Sequence, residues 1–183
     1  MSDSKSLQHG LAQRDDEIFD VVDERDIPVG TATRKEVHAL KLRHRAVHVL
    51  VFNAAGKVFL QKRSMAKDTA PGAWDSSSSG HLDAGEEYDA CAVRELREEL
   101  GLVLASGIIP ERVLYVEACS ETGNEFVRVY RARAEGPFTL HPAEIDDGAW
   151  YDPDEITQRM ATDPKRYTRA FRYIWPRFMA RIR

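Results

Sequence analysis

The sequence predicts an α/β sandwich with a mixed β-sheet and a C-terminal helix, and three observations carry that prediction. Short runs rich in Val, Ile and Phe recur along the chain, bounded by turn residues, as strands do. Among them, Val93, Leu96 and Leu100 fall at i, i+3 and i+7, the apolar stripe of an amphipathic helix. Near the end of the chain Tyr167, Phe171, Ile174 and Phe178 repeat that period. Strands around a short acidic helix, closed by an aromatic one, bury their apolar faces best as layers about one sheet.

The elements follow in order. Residues 17–22 and 28–33 read as two strands joined by a turn at 23–26, and residues 34–40 as a short helix. Residues 46–53 are Val-rich and read as a buried strand. Ala54-Ala55-Gly56 then turns the chain into the alternating strand 57–63, with Val58 and Leu60 on one face and Lys57, Phe59 and Gln61 on the other. Pro71-Gly72 marks a turn before Trp74. The acidic helix spans about 87–100, with Gly101 suited to its C-terminal cap. Residues 112–119 and 125–134 form an expected antiparallel pair around Thr122-Gly123-Asn124, and residues 148–151 add a short strand. Pro153 with Asp154 and Glu155 opens a helix, because proline and acids suit a first turn. The last helix is expected over 165–181, kinked or divided by Pro176.

Composition narrows the classes of function. The 183 residues, 43% hydrophobic, are expected to form a polar, mobile leader over residues 1–16 and one domain over 17–183. A net charge of −4 argues against bulk attraction to nucleic acid or an anionic membrane. No apolar run is long enough to span a bilayer, and the N-terminus lacks the apolar stretch of a secretory signal. Cys91 and Cys119 give no disulfide framework, so a cytoplasmic home is expected, with both cysteines structural. Trp74, Tyr88 and Trp150 are read as core aromatics before base-stacking ones. A homodimer is an open expectation.

The chemistry lies in residues 80–102, GHLDAGEEYDACAVRELREELGL. Glu95, Glu98 and Glu99 share one helical face, roughly opposite the apolar stripe. Like charges that close repel, and an oxygen-only cluster suits a hard divalent cation such as Mg²⁺, with Mn²⁺ as the alternative. Gly80, Glu86, Arg94, Glu95, Glu98, Glu99 and Gly101 stand at the offsets of the Nudix signature, and the segment resembles that family at every defined position. The resemblance implies an α/β/α sandwich and metal-assisted hydrolysis of a diphosphate linkage. It makes Glu95 and Glu99 metal ligands, and Glu98 a further ligand or the group that takes a proton from water. Arg94 and Glu86 orient the cluster. Glu125 and Glu144 remain alternatives for the general base.

A narrower resemblance covers residues 34–81. Leu42-Arg43-His44-Arg45-Ala46, Leu60-Gln61-Lys62-Arg63-Ser64, Lys67-Asp68, Pro71-Gly72-Ala73-Trp74 and Gly80-His81 are similar to the isopentenyl-diphosphate isomerase branch. That branch implies diphosphate binding by Arg34, Arg63 and Lys67. It also implies a second metal site drawing on His44, His81, His38 and Glu125, with His81 at the substrate. Two departures turn the reading back to hydrolysis. The isomerase needs a cysteine before the Gly-His pair, where this chain has Ser79, whose hydroxyl is a poor proton donor. Gly123 also replaces the first of two glutamates flanking Asn124, while the acidic signature, degraded in the isomerase, is intact. The expectation is a Mg²⁺-dependent hydrolase of a small-molecule diphosphate, of the nucleoside diphosphate–X type. An isomerase stands second and a non-catalytic binding module third.

Overall fold

The computed structural model describes residues 14–182. Most of the expected leader therefore lies outside the described residues, and Arg14–Asp16 form a turn in which Arg14 grips Asp16. Two strands, β1 (Ile18–Val22) and β2 (Pro28–Thr33), pair as an antiparallel hairpin. Helix α1 (Arg34–Leu40) follows directly. Thr33 and Glu36 close a reciprocal cap at its start, satisfying amides that the first turn leaves open.

A seven-stranded mixed sheet forms the centre. Its strands are β3 (His44–Phe52), β4 (Val58–Arg63), β5 (Trp74–Asp75), β6 (Ser78–His81), β7 (Glu111–Val116), β8 (Glu125–Arg133) and β9 (Ile145–Tyr151). The path runs β5-β4-β3-β8-β7, with β6 on β3 and β9 on β4; β3 and β8 are parallel and the other pairs antiparallel. Strands β3 and β4 pair only at Val51–Phe59 and Phe52–Val58. Beyond that point they diverge, and β6 takes the place beside β3, so the sheet forks.

Helices cover both faces, as expected of an α/β/α sandwich. On one face α2 (Tyr88–Leu100) sets Cys91, Leu96 and Leu100 against Val47, Val49, Val51 and Phe59. On the other, α3 (Pro153–Thr162) and α4 (Arg169–Ile182) pack Ile156, Phe171, Ile174, Trp175 and Phe178 onto Leu50, Val58, Leu60, Val127 and Val129. The alternation in β4 is as expected, with Val58 and Leu60 opposite Phe59. Trp74, Tyr88 and Trp150 are structural: Trp74 packs edge-on to Tyr151, Trp150 packs against Phe59 and Phe138, and the Tyr88 hydroxyl is bonded to Asp26. Among the described residues, no helix is long and apolar enough to cross a membrane.

Several boundaries differ from expectation. The final helix starts at Arg169, not Lys165, because the Thr168 hydroxyl accepts the Phe171 amide and sets the first turn there. Tyr167 therefore precedes the helix, yet it is buried and bridged to Trp74. Pro176 lies inside α4 without dividing it. The fifth and sixth strands were not foreseen, since Ser76–Ser79 lacks the β-branched and aromatic residues that mark a strand. That serine run binds the two arms of the fork. Ser77 accepts the Val51 amide and donates to the Phe59 carbonyl.

Candidate active site

A cleft of about 860 Å³ opens at the fork. Its lining includes every expected site residue except Glu86 and His44: Glu95, Glu98, Glu99 and Arg94 of α2, Arg34 and His38 of α1, Arg63, Lys67, His81, Glu125 and Glu144. Successive strand residues point to opposite faces, so Gly80 and His81 mark two chemically different ends.

The first end is carboxylate. Glu95 and Glu99 line the interior of the cleft rather than its open rim. They are 8% and 3% exposed and turn into the fork, while Val93 is only half-buried. The physical reason is the reception they meet. A Cβ at Gly80 would fall 2.0 Å from Glu95 Oε1, so only glycine leaves room for that carboxylate. Glu99 Oε2 accepts the Ser79 amide at 2.9 Å and the Gln61 side-chain amide at 3.1 Å. Glu98 stays at the rim, its side chain 48% exposed. Burial, reinforced by the charge of Glu99, pushes Glu95 up to about 8, and burial raises Glu99 as well.

Arg94 ties this end together. Its Nε and Nη2 grip both oxygens of Glu86 at 2.9 and 2.8 Å, and Nη1 reaches Glu95 at 2.7 Å and Glu98 at 3.2 Å. Nη2 also donates to the His81 carbonyl at 2.9 Å. Hydrogen bonds to Glu86 raise the Arg94 pKa further, so it is a permanent cation. Glu86 thus acts behind Arg94, outside the cleft lining.

The cations approach from loops and α1. Lys67, in the loop after β4, is ion-paired with Glu144; burial lowers it to about 8 despite the pull of Glu99. Arg34 is buried at the cleft, with Nη1 3.4 Å from His81 Nδ1 and Nη2 3.8 Å from Asp68. Arg63 is more committed: Nε and Nη2 hold the Thr69 carbonyl and Nη1 lies 3.6 Å from Asp75.

The second end is imidazole. Ligand atoms of His38, His44 and His81 lie within 4.8 Å of one another. His81 Nδ1 accepts from Arg34, so its Nε2 carries the proton donated to Glu125 Oε1 at 2.9 Å. His44 Nδ1 faces the Leu42 carbonyl at 3.0 Å and therefore donates. Its Nε2 is buried without a hydrogen-bond partner among the described residues, 3.5 Å from the same Glu125 oxygen. Burial drives His81 down to about 4. Burial opposes ionisation of Glu125, but the two imidazoles outweigh it and hold that carboxyl well below the usual range.

Sequence reasoning missed Gln61, Ser78, His48, Asp75 and His141. His141 lines the cleft, its amide donates to the Glu99 carbonyl at 2.9 Å, and its Nδ1 is buried without a partner among the described residues. Gln61 was legible only as one face of a strand, and the serine run only as a departure from the isomerase pattern.

The NUDIX domain family matches residues 42–171, and the chain belongs to that family. It is 38% identical over 146 residues to an uncharacterized Nudix hydrolase of Streptomyces coelicolor, covering 78% of this chain and 76% of that protein. It is 34% identical over 145 residues to the Nudix hydrolase YfcD of Escherichia coli, covering 78% of each. Relatives at this identity, with the family match, make the chain a Nudix hydrolase, a class that generally works with a divalent metal. Among solved structures, DR0079 of Deinococcus radiodurans superposes with a TM-score of 0.79 at 28% identity, over 88% of this chain and 98% of that one.

Proposed function

We propose that the protein is a Mg²⁺-dependent hydrolase of a diphosphate linkage in a small molecule of the nucleoside diphosphate–X type. One observation carries the reading: two carboxylates, Glu95 and Glu99, are buried close enough to repel, the first in space left open by Gly80. Buried charge in that quantity asks for a cation, and all-oxygen donors fit a hard divalent one. Mg²⁺ would sit on Glu95, Glu99 and Glu98, with Mn²⁺ as the alternative; bound there, it supplies charge neutralisation and a more acidic water.

The chain's own groups do the rest. Arg94, held by Glu86, fixes Glu95 and Glu98 in register. Glu98, at the solvent-facing rim, takes the proton from the attacking water. Glu144 competes for that role but is paired with Lys67. Arg34 and Lys67 take the substrate's phosphate oxygens, exchanging His81 and Glu144 for them, and Arg63 braces the loop that carries Lys67.

A second divalent ion at the imidazole end has its own support. The orphaned, buried Nε2 of His44 faces Glu125 with His81 and His38 beside it, a donor set that suits a metal better than it suits bare contact. The resemblance to the isomerase branch draws on these same residues. With Ser79 in the place of the thiol, we assign this centre a supporting role and not allylic proton transfer.

The test is turnover of nucleoside, sugar, coenzyme and prenyl diphosphates with Mg²⁺, in the wild type and in Glu99→Gln. Phosphate-bearing products with the wild type, and loss of them in a folded variant, are expected. An equally active variant overturns the metal assignment. Exchange between isopentenyl and dimethylallyl diphosphate without hydrolysis would give the isomerase instead.

A further inference from the structure

Beyond the metal and phosphate groups, the cleft is lined by His48, Asp75, Thr122 and Thr168, which the hydrolytic machinery leaves unused. His48, Asp75 and Thr168 are 4%, 3% and 7% exposed, so polar groups normally kept wet are built into the wall of a cavity. His48 stands opposite Ser79 across the β3–β6 pair, on the face that carries His81 and opposite the one on which Gly80 meets Glu95, so it lies apart from the carboxylate end.

Its protonation pattern can be read from the hydrogen bonds. His48 Nδ1 lies 2.8 Å from Ser76 Oγ and 3.8 Å from Asp75 Oδ1. The Ser76 hydroxyl gives its single proton to the Ser78 carbonyl at 3.2 Å, so it can only accept from His48. The neutral ring therefore carries its proton on Nδ1, and Nε2, on the other side, offers a lone pair. Asp75 is an acceptor too: Oδ1 takes the Ser76 amide at 2.8 Å, and Oδ2 lies 3.6 Å from Arg63 Nη1.

We infer that this half of the cleft is a recognition subsite for a substrate group rich in hydrogen-bond donors, hydroxyl or amino. His48 Nε2 and the Asp75 carboxylate are its acceptors. The inference rests on the diphosphate hydrolase reading and names the group carried beyond the diphosphate. An isoprenoid tail is the wrong occupant. Hydrocarbon laid over His48, Asp75 and Thr168 would remove their water and return no hydrogen bond.

The experiment compares kcat/KM with Mg²⁺ for three compounds: a nucleoside diphosphate sugar, a nucleoside diphosphate with an amino-bearing base, and dimethylallyl diphosphate. Sites built around hydrogen bonds reject analogues lacking them strongly, so a preference of at least about 100-fold for one donor-bearing compound is expected. The sugar arm leading points to hydroxyl recognition, and the base arm to amino recognition. His48→Asn keeps a side-chain amide for Ser76 but lacks the acceptor at Nε2, and His48→Leu lacks both. Each should raise KM for the favoured compound and shrink the preference at least about tenfold. Calorimetric binding of the same compounds reads the subsite without turnover. Donor-selective binding in a protein that hydrolyses none of them keeps the subsite and sinks the hydrolase reading. Equal handling of dimethylallyl diphosphate by the wild type, or a preference unmoved in a folded variant, overturns the subsite.

Discussion

Removing divalent metal should make the fold lose stability as pH rises through neutrality, the reverse of what most carboxylates do. A carboxyl whose folded-state pKa is raised stabilises the fold in its protonated form. That contribution is complete below the ordinary value of 4.5 and is lost as pH climbs through about 8 for Glu95. Glu99, raised for the same reason, adds the same sign. Two other groups bound the useful window. His81 is depressed from 6.5 to about 4, so its contribution is present above 6.5 and is lost only below it. Lys67 is depressed from 10.5 to about 8, and its change begins only above that. Between pH 6.5 and 8 the buried glutamates dominate. One retained proton corresponds to a slope of about 1.4 kcal/mol per pH unit, hence ~2 kcal/mol across the window. For a chain of this size that is a fall in melting temperature of roughly 4–8 °C in EDTA. Saturating Mg²⁺, which needs the ionised carboxylates, should abolish the fall. Thermal denaturation by circular dichroism at four or five pH values decides it. A melting temperature that is flat or rising from pH 6.5 to 8 in EDTA, or a fall that persists unchanged with Mg²⁺, refutes the account of the carboxylate end.

Three further outcomes follow. In Gly80→Ala the new methyl meets the flexible end of Glu95, so stability should drop by only about 1 kcal/mol while Mn²⁺ affinity collapses; calorimetric titration showing intact affinity would contradict the packing at Gly80. Arg94→Lys loses the fork on Glu86, and loosening a group that orients metal-binding side chains costs about 10–100-fold in metal affinity or activity; wild-type kcat/KM would deny Arg94 its orienting role. Asp26 accepts from Arg45, Tyr88 and Tyr115, anchoring the β1–β2 hairpin to the sheet. Asp26→Ala should cost roughly 3 kcal/mol in chemical denaturation, and a loss under about 1 kcal/mol would show that the hairpin is held by other contacts.

The sheet layers, the acidic helix and the aromatic final helix were legible because each depends on local periodicity. The same is true of the carboxylate signature, whose spacing alone sets one helical face. What stayed hidden depends on partners far along the chain. The groups that receive the acids stayed hidden, because the pattern of α2 shows its own residues and not the glycine beneath Glu95 or the amides that bond Glu99. Ser76–Ser79 looked like loop, because its strand character comes from the divergence of β3 and β4. His48 was one more residue in a buried strand until Ser76 fixed which nitrogen carries the proton.

The forked sheet has a consequence for how this enzyme can change over time. On the functions proposed above, bond breaking and partner choice fall on opposite sides of a single thin layer, joined through one backbone position without a side chain. Substitutions at 48, 75 or 168 can retune what is accepted without touching the acids that cleave it, so new specificities should arise here in single steps while the hydrolytic apparatus is inherited intact.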